Sequence, residues 1–386
     1  MALRVAASFD QLPTTPVNIS PPITAASNPG NRLRGTPFYI YSNHTGQLQL
    51  RLPQVWADAD GYLVYRRGYG NYTDSGIGPG TNRMALYVPL KEQLANLSAS
   101  SKFTFGFRYR AKEVGYSTGF AILTSFDLTQ RIVLMTAADL PAYADEKVYY
   151  VEFEVDLAAA LVKRWVDGQV LSSVTLTAAL VTALASNGLL SLTNFDPTSY
   201  QANNVSGAVS ATWANGLWQG FRDFYLIEDT KDDTLNRRLG PQLVKPLVPA
   251  SAEINDWTAV PTDKSVVDVL KTPYTTASLF GDQVDYALSG PSQAPLNLKF
   301  AAPTVGGKIN AVMLRAATYR PSGSSGNLTA RVQLGQAKTD DKVVPVTSTA
   351  NYYQPLGVFE KAPDGSAWSA DKVNATVLSL TPTAVT

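Results

Sequence analysis

Lys102-Phe103-Thr104-Phe105-Gly106-Phe107-Arg108-Tyr109-Arg110 decides the fold. Phe103, Phe105, Phe107 and Tyr109 fall on one side of an extended chain, and Thr104, Gly106, Arg108 and Arg110 on the other. Alternation with period two marks a half-buried strand with one wet face. Residues 119–126 and 131–135 follow as short, mostly apolar strands. In 148–156, Tyr149, Val151, Phe153 and Val155 share a face that Glu152 and Glu154 oppose. Residues 162–166 and 169–177 flank Asp167-Gly168. Asp-Gly between two apolar runs predicts a two-residue hairpin, because glycine accepts the positive φ of a type I′ turn. Region 101–177 therefore predicts a serial antiparallel sheet with short loops, an architecture rather than a chemistry.

Composition narrows the function classes. The 386 residues suffice for two domains with separate cores. Charged residues are 16% of the chain, well below the usual quarter, so neutral polar side chains must cover much of the surface. A net charge of +1 gives no long-range field for nucleic acid or an acidic membrane. With no cysteine there are no disulfides, thiolate metal sites or cysteine nucleophiles. The single histidine, His44, sits in the turn-like Ser42-Asn43-His44-Thr45-Gly46 and reads as a surface residue. These absences predict no cofactor and no metal centre. No run of eighteen apolar residues occurs, so membrane insertion is not expected. The start of the chain lacks an apolar leader region, and Asn-x-Ser/Thr triplets such as Asn43, Asn71 and Asn96 read as β-loop composition.

Going outward, residues 1–35 are rich in Pro, Thr, Ser and Asn and predict an extended arm lying on its own body or on a neighbouring copy. Residues 37–42, 47–52, 62–72 and 84–89 read as strands, 178–185 as a short helix stopped at Asn187-Gly188, and 218–228 as a closing strand. Asp58-Ala59-Asp60-Gly61 reads as a turn, since most acidic positions of a calcium loop are missing. The charged stretch 229–238 marks the domain junction, giving 36–230 and 231–386 as two β domains. In the second, residues 265–270, 275–279, 284–289, 296–301, 309–319, 328–335, 353–359 and 373–380 predict strands, and 319–326 a hairpin tip.

Few residues suggest a site. Tyr62, Tyr69 and Tyr72, beside Arg66 and Arg67, form an aromatic and basic stretch ahead of the glycine-rich loop 73–80. Such residues stack on sugar rings or build protein interfaces, and they serve equally as core. The loop lacks Gly-Lys-Ser/Thr and a following helix, so it is no phosphate loop. Trp56, Trp213 and Trp218 are further candidate stacking platforms. Glu152 and Glu154 are spaced as a glycosidase carboxylate pair could be, but two glutamates on one edge-strand face more commonly solvate that face. No catalytic residue is assigned, and the chain is not expected to be an enzyme.

Two resemblances follow. The aromatic strand, the strand with Trp165-Val166-Asp167-Gly168 and the closing Gly220-Phe221-Arg222-Asp223-Phe224-Tyr225-Leu226 together resemble the laminin-G/concanavalin-A-like jelly roll. That family includes many sugar binders, often with a calcium site, whose Asp/Asn cluster is missing here. Residues 218–386 are similar to bacteriophage virion proteins of the tail and head surface. The similarity rests on 221–229, Leu239-Gly240-Pro241, Trp257, Tyr274-Thr275, 279–286, 309–316 and 363–375 in that order. It implies an all-β virion structural protein (tail, tail fibre or head decoration), made in the host cytoplasm, partnered by copies of itself and by other virion proteins. The alternative it implies is a carbohydrate- or receptor-binding module that attaches to a host surface glycan.

Overall fold

The computed structural model describes residues 2–18, 32–33, 35–43, 49–51, 54–66, 69–70, 83–112, 119–125, 130–192, 218–229, 238–254, 256–271, 285–318, 326–347 and 351–384. The chain divides into two compact units, 1–33 with 37–244 and 34–36 with 245–386. Both are built almost wholly of antiparallel strands, so the protein is all-β, a jelly-roll sandwich followed by a smaller β-sandwich.

In the first unit the aromatic strand, Lys102–Lys112, sits inside a ten-stranded sheet among the described residues. The order is Gln169–Val170, Leu161–Val166, Tyr149–Asp156, Lys102–Lys112, Trp218–Glu228, Leu63–Arg66, Gln54–Ala57 and Val17–Asn18, with Ala2–Ala7 and Val174–Thr175 pairing off this path. Register sets the core: Phe105 lies opposite Phe153 and Leu226, and Tyr109 opposite Tyr149 and Phe221. A five-stranded sheet, in the order Arg131–Met135, Ala121–Ser125, Gly188–Ser191, Arg83–Pro89 and Tyr39–Asn43, forms the other layer. Phe120, entering the second of these strands, stacks on Tyr109 at 3.9 Å and meets Phe107 edge-on at 6.4 Å. Phe105 and Phe153 stack at 4.7 Å, and both are fully buried. Each ring buried this way stabilises the fold by about 1.5–3 kcal/mol. The Asp167-Gly168 hairpin forms as predicted, with φ of 49° and 82° at its two turn residues.

One expectation is narrowed and two take a different form. Ala2–Ala7 pairs with Trp218–Glu228, burying Leu3, Val5 and Ala7, so this part of the arm lies on its own body. Residues 19–31 lie outside the described residues. The helix Ala178–Asn187 is capped by Thr177, whose hydroxyl oxygen accepts the Leu180 amide at 3.1 Å. It does not end in a left-handed glycine: Gly188 has φ −70° and leads straight into a strand. Space requires glycine there, since a Cβ would lie 2.7 Å from the Leu184 carbonyl oxygen. Finally, the first unit runs to Val244 rather than to 230.

The second unit pairs Pro249–Ile254, Leu296–Phe300, Thr376–Ala384, Gly326–Leu334 and Ala337–Lys338 in that order, with Lys342–Val346 also on Gly326–Leu334. Two ribbons complete it, Trp257–Val260 with Tyr286–Ser289 and Val312–Thr318 with Asn351–Phe359. The core gathers Leu298, Ala330, Val332, Leu356, Phe359, Trp368 and Leu378. Trp368 donates its indole N–H to the Phe359 carbonyl at 2.8 Å, which satisfies the polar end of a buried ring. Val312–Thr318 and Gly326–Leu334 pair with different strands, so they are not the arms of one hairpin; the expected tip and the strand 275–279 lie outside the described residues. Residues 266–271 are helical rather than extended. The Ser265 hydroxyl accepts the Asp268 amide at 3.1 Å, an N-cap that offers the first turn its missing acceptor.

Phe153→Ala removes the ring at the middle of the aromatic layer and is expected to destabilise the first unit by about 3–5 kcal/mol in urea unfolding; a loss under about 1 kcal/mol would contradict the packing described.

Candidate functional site

The ten-stranded sheet carries its chemistry on the face turned away from the aromatic core. Glu152 lies there, opposite Trp165 on one neighbouring strand and Gly106 on the other. Gly106 in turn lies opposite Tyr225. A Cβ on Gly106 would come within 2.7 Å of the Tyr225 ring and 2.9 Å of the Tyr150 hydroxyl, so its absence makes room for both tyrosines beside the carboxylate. The Tyr150 hydroxyl donates to Tyr225 at 3.1 Å, and Tyr225 donates to Glu152 Oε1. Burial first, and then the neighbouring Tyr150 and the Glu152 charge, push the Tyr225 hydroxyl far above its ordinary value. Tyr150 is pushed up in the same way, by burial and then by Glu152. Both therefore remain protonated donors at any ordinary pH.

A strap of residues 238–244 seals this recess. The Leu239 and Gly240 amides donate to Glu152 Oε1 at 3.1 and 3.2 Å, and Arg238 Nε donates to Oε2 at 2.7 Å. The Arg238 guanidinium carbon lies 4.0 Å from the centre of the Trp165 ring. Glu152 is fully buried and Trp165 is 7% exposed. Glu152 thus does not solvate the sheet face, as its spacing from Glu154 had suggested; Glu154 is only half-buried and pairs with Lys163 at 3.2 Å. Among the described residues, Glu152 is covered by the strap and Glu154 holds a lysine, so the two do not face one another as a pair.

A second carboxylate anchors the far end of the strap. The strand Trp218–Glu228 carries one extra residue between Arg222 and Tyr225, a β-bulge, and Asp223 sits in it at φ 54°. Its carboxylate is fully buried and accepts the Val244 amide at 2.9 Å and Arg108 Nε at 3.0 Å. Burial raises the Asp223 carboxyl above its ordinary value, and the Val244 amide with the Arg222 and Arg108 charges offsets only part of that rise. Glu152 and Asp223 therefore hold the strap at both ends, which moves the unit boundary to Val244.

Of the residues singled out in the sequence, Tyr62 is described with its side chain. It is 4% exposed, and the Arg110 guanidinium covers its ring at 4.2 Å. Arg110 also pairs with Asp58 and, at 2.9 Å, with Asp60. Asp58 closes the expected turn by accepting the Asp60 and Tyr62 amides, each at 3.0 Å. Arg66 and Tyr69 lie on short strands, Leu63–Arg66 and Tyr69–Gly70, while Arg67, Tyr72, His44 and Trp213 lie outside the described residues. Tyr62 presents no free face for a sugar ring. Among the described residues no group of three or more His, Asp or Glu side chains could hold a metal ion. No helix among them is long and apolar enough to cross a membrane. Sequence reasoning missed Arg238, Trp165 and Asp223. The readable sign was Gly106, a glycine in mid-strand among aromatics, which marks a close approach by something else.

No protein family matches the chain, and no curated protein does. Among solved structures it is similar to the alginate lyase from Corynebacterium sp., at TM-score 0.32 and 13% identity over 50% of this chain and 94% of that one. A second is alginate lyase A1-II', of polysaccharide lyase family 7, at 0.29 and 12% over 48% of this chain and 85% of that one. A third is the botulinum neurotoxin serotype D binding domain, at 0.23 and 10% over 52% and 48%. These neighbours correct the expectation that the chain is not an enzyme: lyases stand among the folds it is similar to, so an all-β sandwich gives no ground for excluding catalysis. Likeness at this level assigns no activity to this chain.

Asp223 gives the fold a pH dependence of defined sign. Its folded value lies above its unfolded one, so its contribution is fully present below the unfolded value, about 4, and is lost as pH rises through the folded value. Comparing chemical unfolding of the native chain with Asp223→Asn, the stability difference is expected to move against the native chain as pH rises across that window. A difference that moves in its favour would contradict the burial described.

Proposed function

We propose that the protein is a structural component of a bacteriophage virion that assembles through protein–protein contacts, with other copies of itself among its partners. The sequence resemblance of 218–386 to virion proteins supports this reading, as does a surface in which neutral polar residues stand in for charge. Low charge lowers the desolvation cost of burying that surface against another protein.

The observation that carries the reading lies on a ribbon of the second unit. In Tyr286–Ser289, Tyr286 and Leu288 alternate outward and are 42% and 43% exposed. Across the ribbon Val260 pairs with Tyr286 and Thr258 with Leu288, so the four side chains share one face. Ile254 and Val343 of the same unit are exposed as well, at 44% and 58%. A ribbon of two strands with an apolar outward face gains by being covered, and a symmetric copy is the commonest cover in homo-oligomers. Exposed large apolar residues that lie side by side on one face, as Tyr286 and Leu288 do, mark interaction surfaces more often than those scattered singly.

The test is sedimentation velocity of the full chain over a hundredfold range of concentration, together with the stoichiometry of the chain in purified phage particles. The native chain is expected to form a defined oligomer and to occur in particles in integer copies. Tyr286→Asp with Leu288→Asp is expected to shift the oligomer to monomer while its circular dichroism stays native. A native chain that remains monomeric throughout and is absent from particles would overturn the reading.

A further inference from the structure

The recess over Glu152 has the make-up of an arginine-binding site whose occupant is covalently attached. Its floor is a carboxylate with no solvent contact, and one wall is the Trp165 indole. A guanidinium pairs with a carboxylate and stacks flat on an aromatic ring at the same time, which an ammonium does not match. The donors that the strap gives Glu152 come from three consecutive residues, Arg238, Leu239 and Gly240. Gly240 makes this possible: its φ of 68° is left-handed, and nothing lies within 4 Å of where a Cβ would stand. The ligand is thus a short linear motif, an arginine followed by two free backbone amides with glycine at the second. None of these contacts requires the motif and the recess to belong to one chain.

An empty recess is disfavoured, because Glu152 would give up its counter-charge and three protein donors, and the Trp165 ring its cover, with only water in exchange. The strap therefore leaves only in exchange for an equivalent one. A second copy of the chain offers the same tripeptide, and exchange of an identical element between copies is a low-cost route to an oligomer. The strap is the last segment of the first unit and is followed directly by 245–386.

We propose that the Trp165–Glu152 recess is a receptor site for an Arg-x-Gly segment, filled within the chain by residues 238–240 and filled between chains by the strap of a second copy. The identity of the partner rests on the self-assembly reading above; the site itself does not.

The test uses a fluorescein-labelled peptide of residues 238–245, Arg-Leu-Gly-Pro-Gln-Leu-Val-Lys, and full-length Arg238→Ala as host, read by fluorescence polarisation. Removing the attached arginine frees the recess, so the peptide is expected to bind Arg238→Ala at least about tenfold more tightly than the native chain, whose strap competes. Glu152→Gln in the same host is expected to abolish binding, and a peptide with alanine in place of arginine to bind neither. Circular dichroism checks the host, and Arg238→Lys, which keeps a charge but lacks the planar fork, serves if Arg238→Ala does not fold. No saturable binding to a folded host, or equal binding of the alanine peptide, would overturn the site. Peptide binding by a chain that sediments only as a monomer would keep the site and remove the second copy as its partner. A defined oligomer that binds no peptide would remove the site and leave self-assembly standing.

Discussion

A carboxylate taken wholly out of water costs several kcal/mol unless its oxygens are filled, and the first unit depends on how Glu152 meets that cost. The Tyr225 hydroxyl, two backbone amides and one guanidinium donate to it, and Tyr150 in turn donates to Tyr225. Three of those donors belong to the strap, so the strap cannot lift without exposing the defect. The same rule holds at Asp223, where a β-bulge turns the carboxylate toward Arg108 and the Val244 amide. Apolar packing fixes one side of the large sheet, and two buried charges fix a segment of chain to the other.

The two sides of the aromatic strand therefore do different work. Phe103, Phe105, Phe107 and Tyr109 are all at most 1% exposed and bind the layers of the sandwich together by area. On the reverse, Gly106 yields its side-chain volume to Tyr150 and Tyr225, while Arg108 and Arg110 reach Asp223 and Asp58. Hydrophobic burial is tolerant of detail, whereas a buried polar network holds only when every member is satisfied. Stability should accordingly be spread over the core but concentrated at few positions on the reverse face.

How much of this was legible follows from the range of the interactions. The aromatic alternation and the Asp167-Gly168 turn are local patterns, and both appear as the sequence implies. The helix Val266–Lys271 was hidden because its apolar residues also suit a strand; Ser265 three places before Asp268 was its only local mark. Gly188 was read as a helix stop for its backbone freedom, and it is needed for space beside Leu184. Glu152 looked like a solvated edge residue because its partners other than Tyr150 lie 73 to 88 residues away, and no period in a sequence reports such a pairing. Of the stretch proposed as a contact site, Tyr62 proved to be covered by an arginine from another strand, an arrangement set by sheet order alone.

Hydrogen exchange at the Leu239, Gly240 and Val244 amides tests most directly whether buried carboxylates hold the strap. In the native chain these amides are expected to be protected far beyond those of Gly306 and Gly307, which form an exposed, open turn with nothing within 4 Å of either Cβ position. In Glu152→Gln the first two are expected to lose most of that protection while the amides of Lys102–Lys112 keep theirs. Exchange in the native chain as fast as in the open turn, or protection that Glu152→Gln leaves unchanged, would contradict the account.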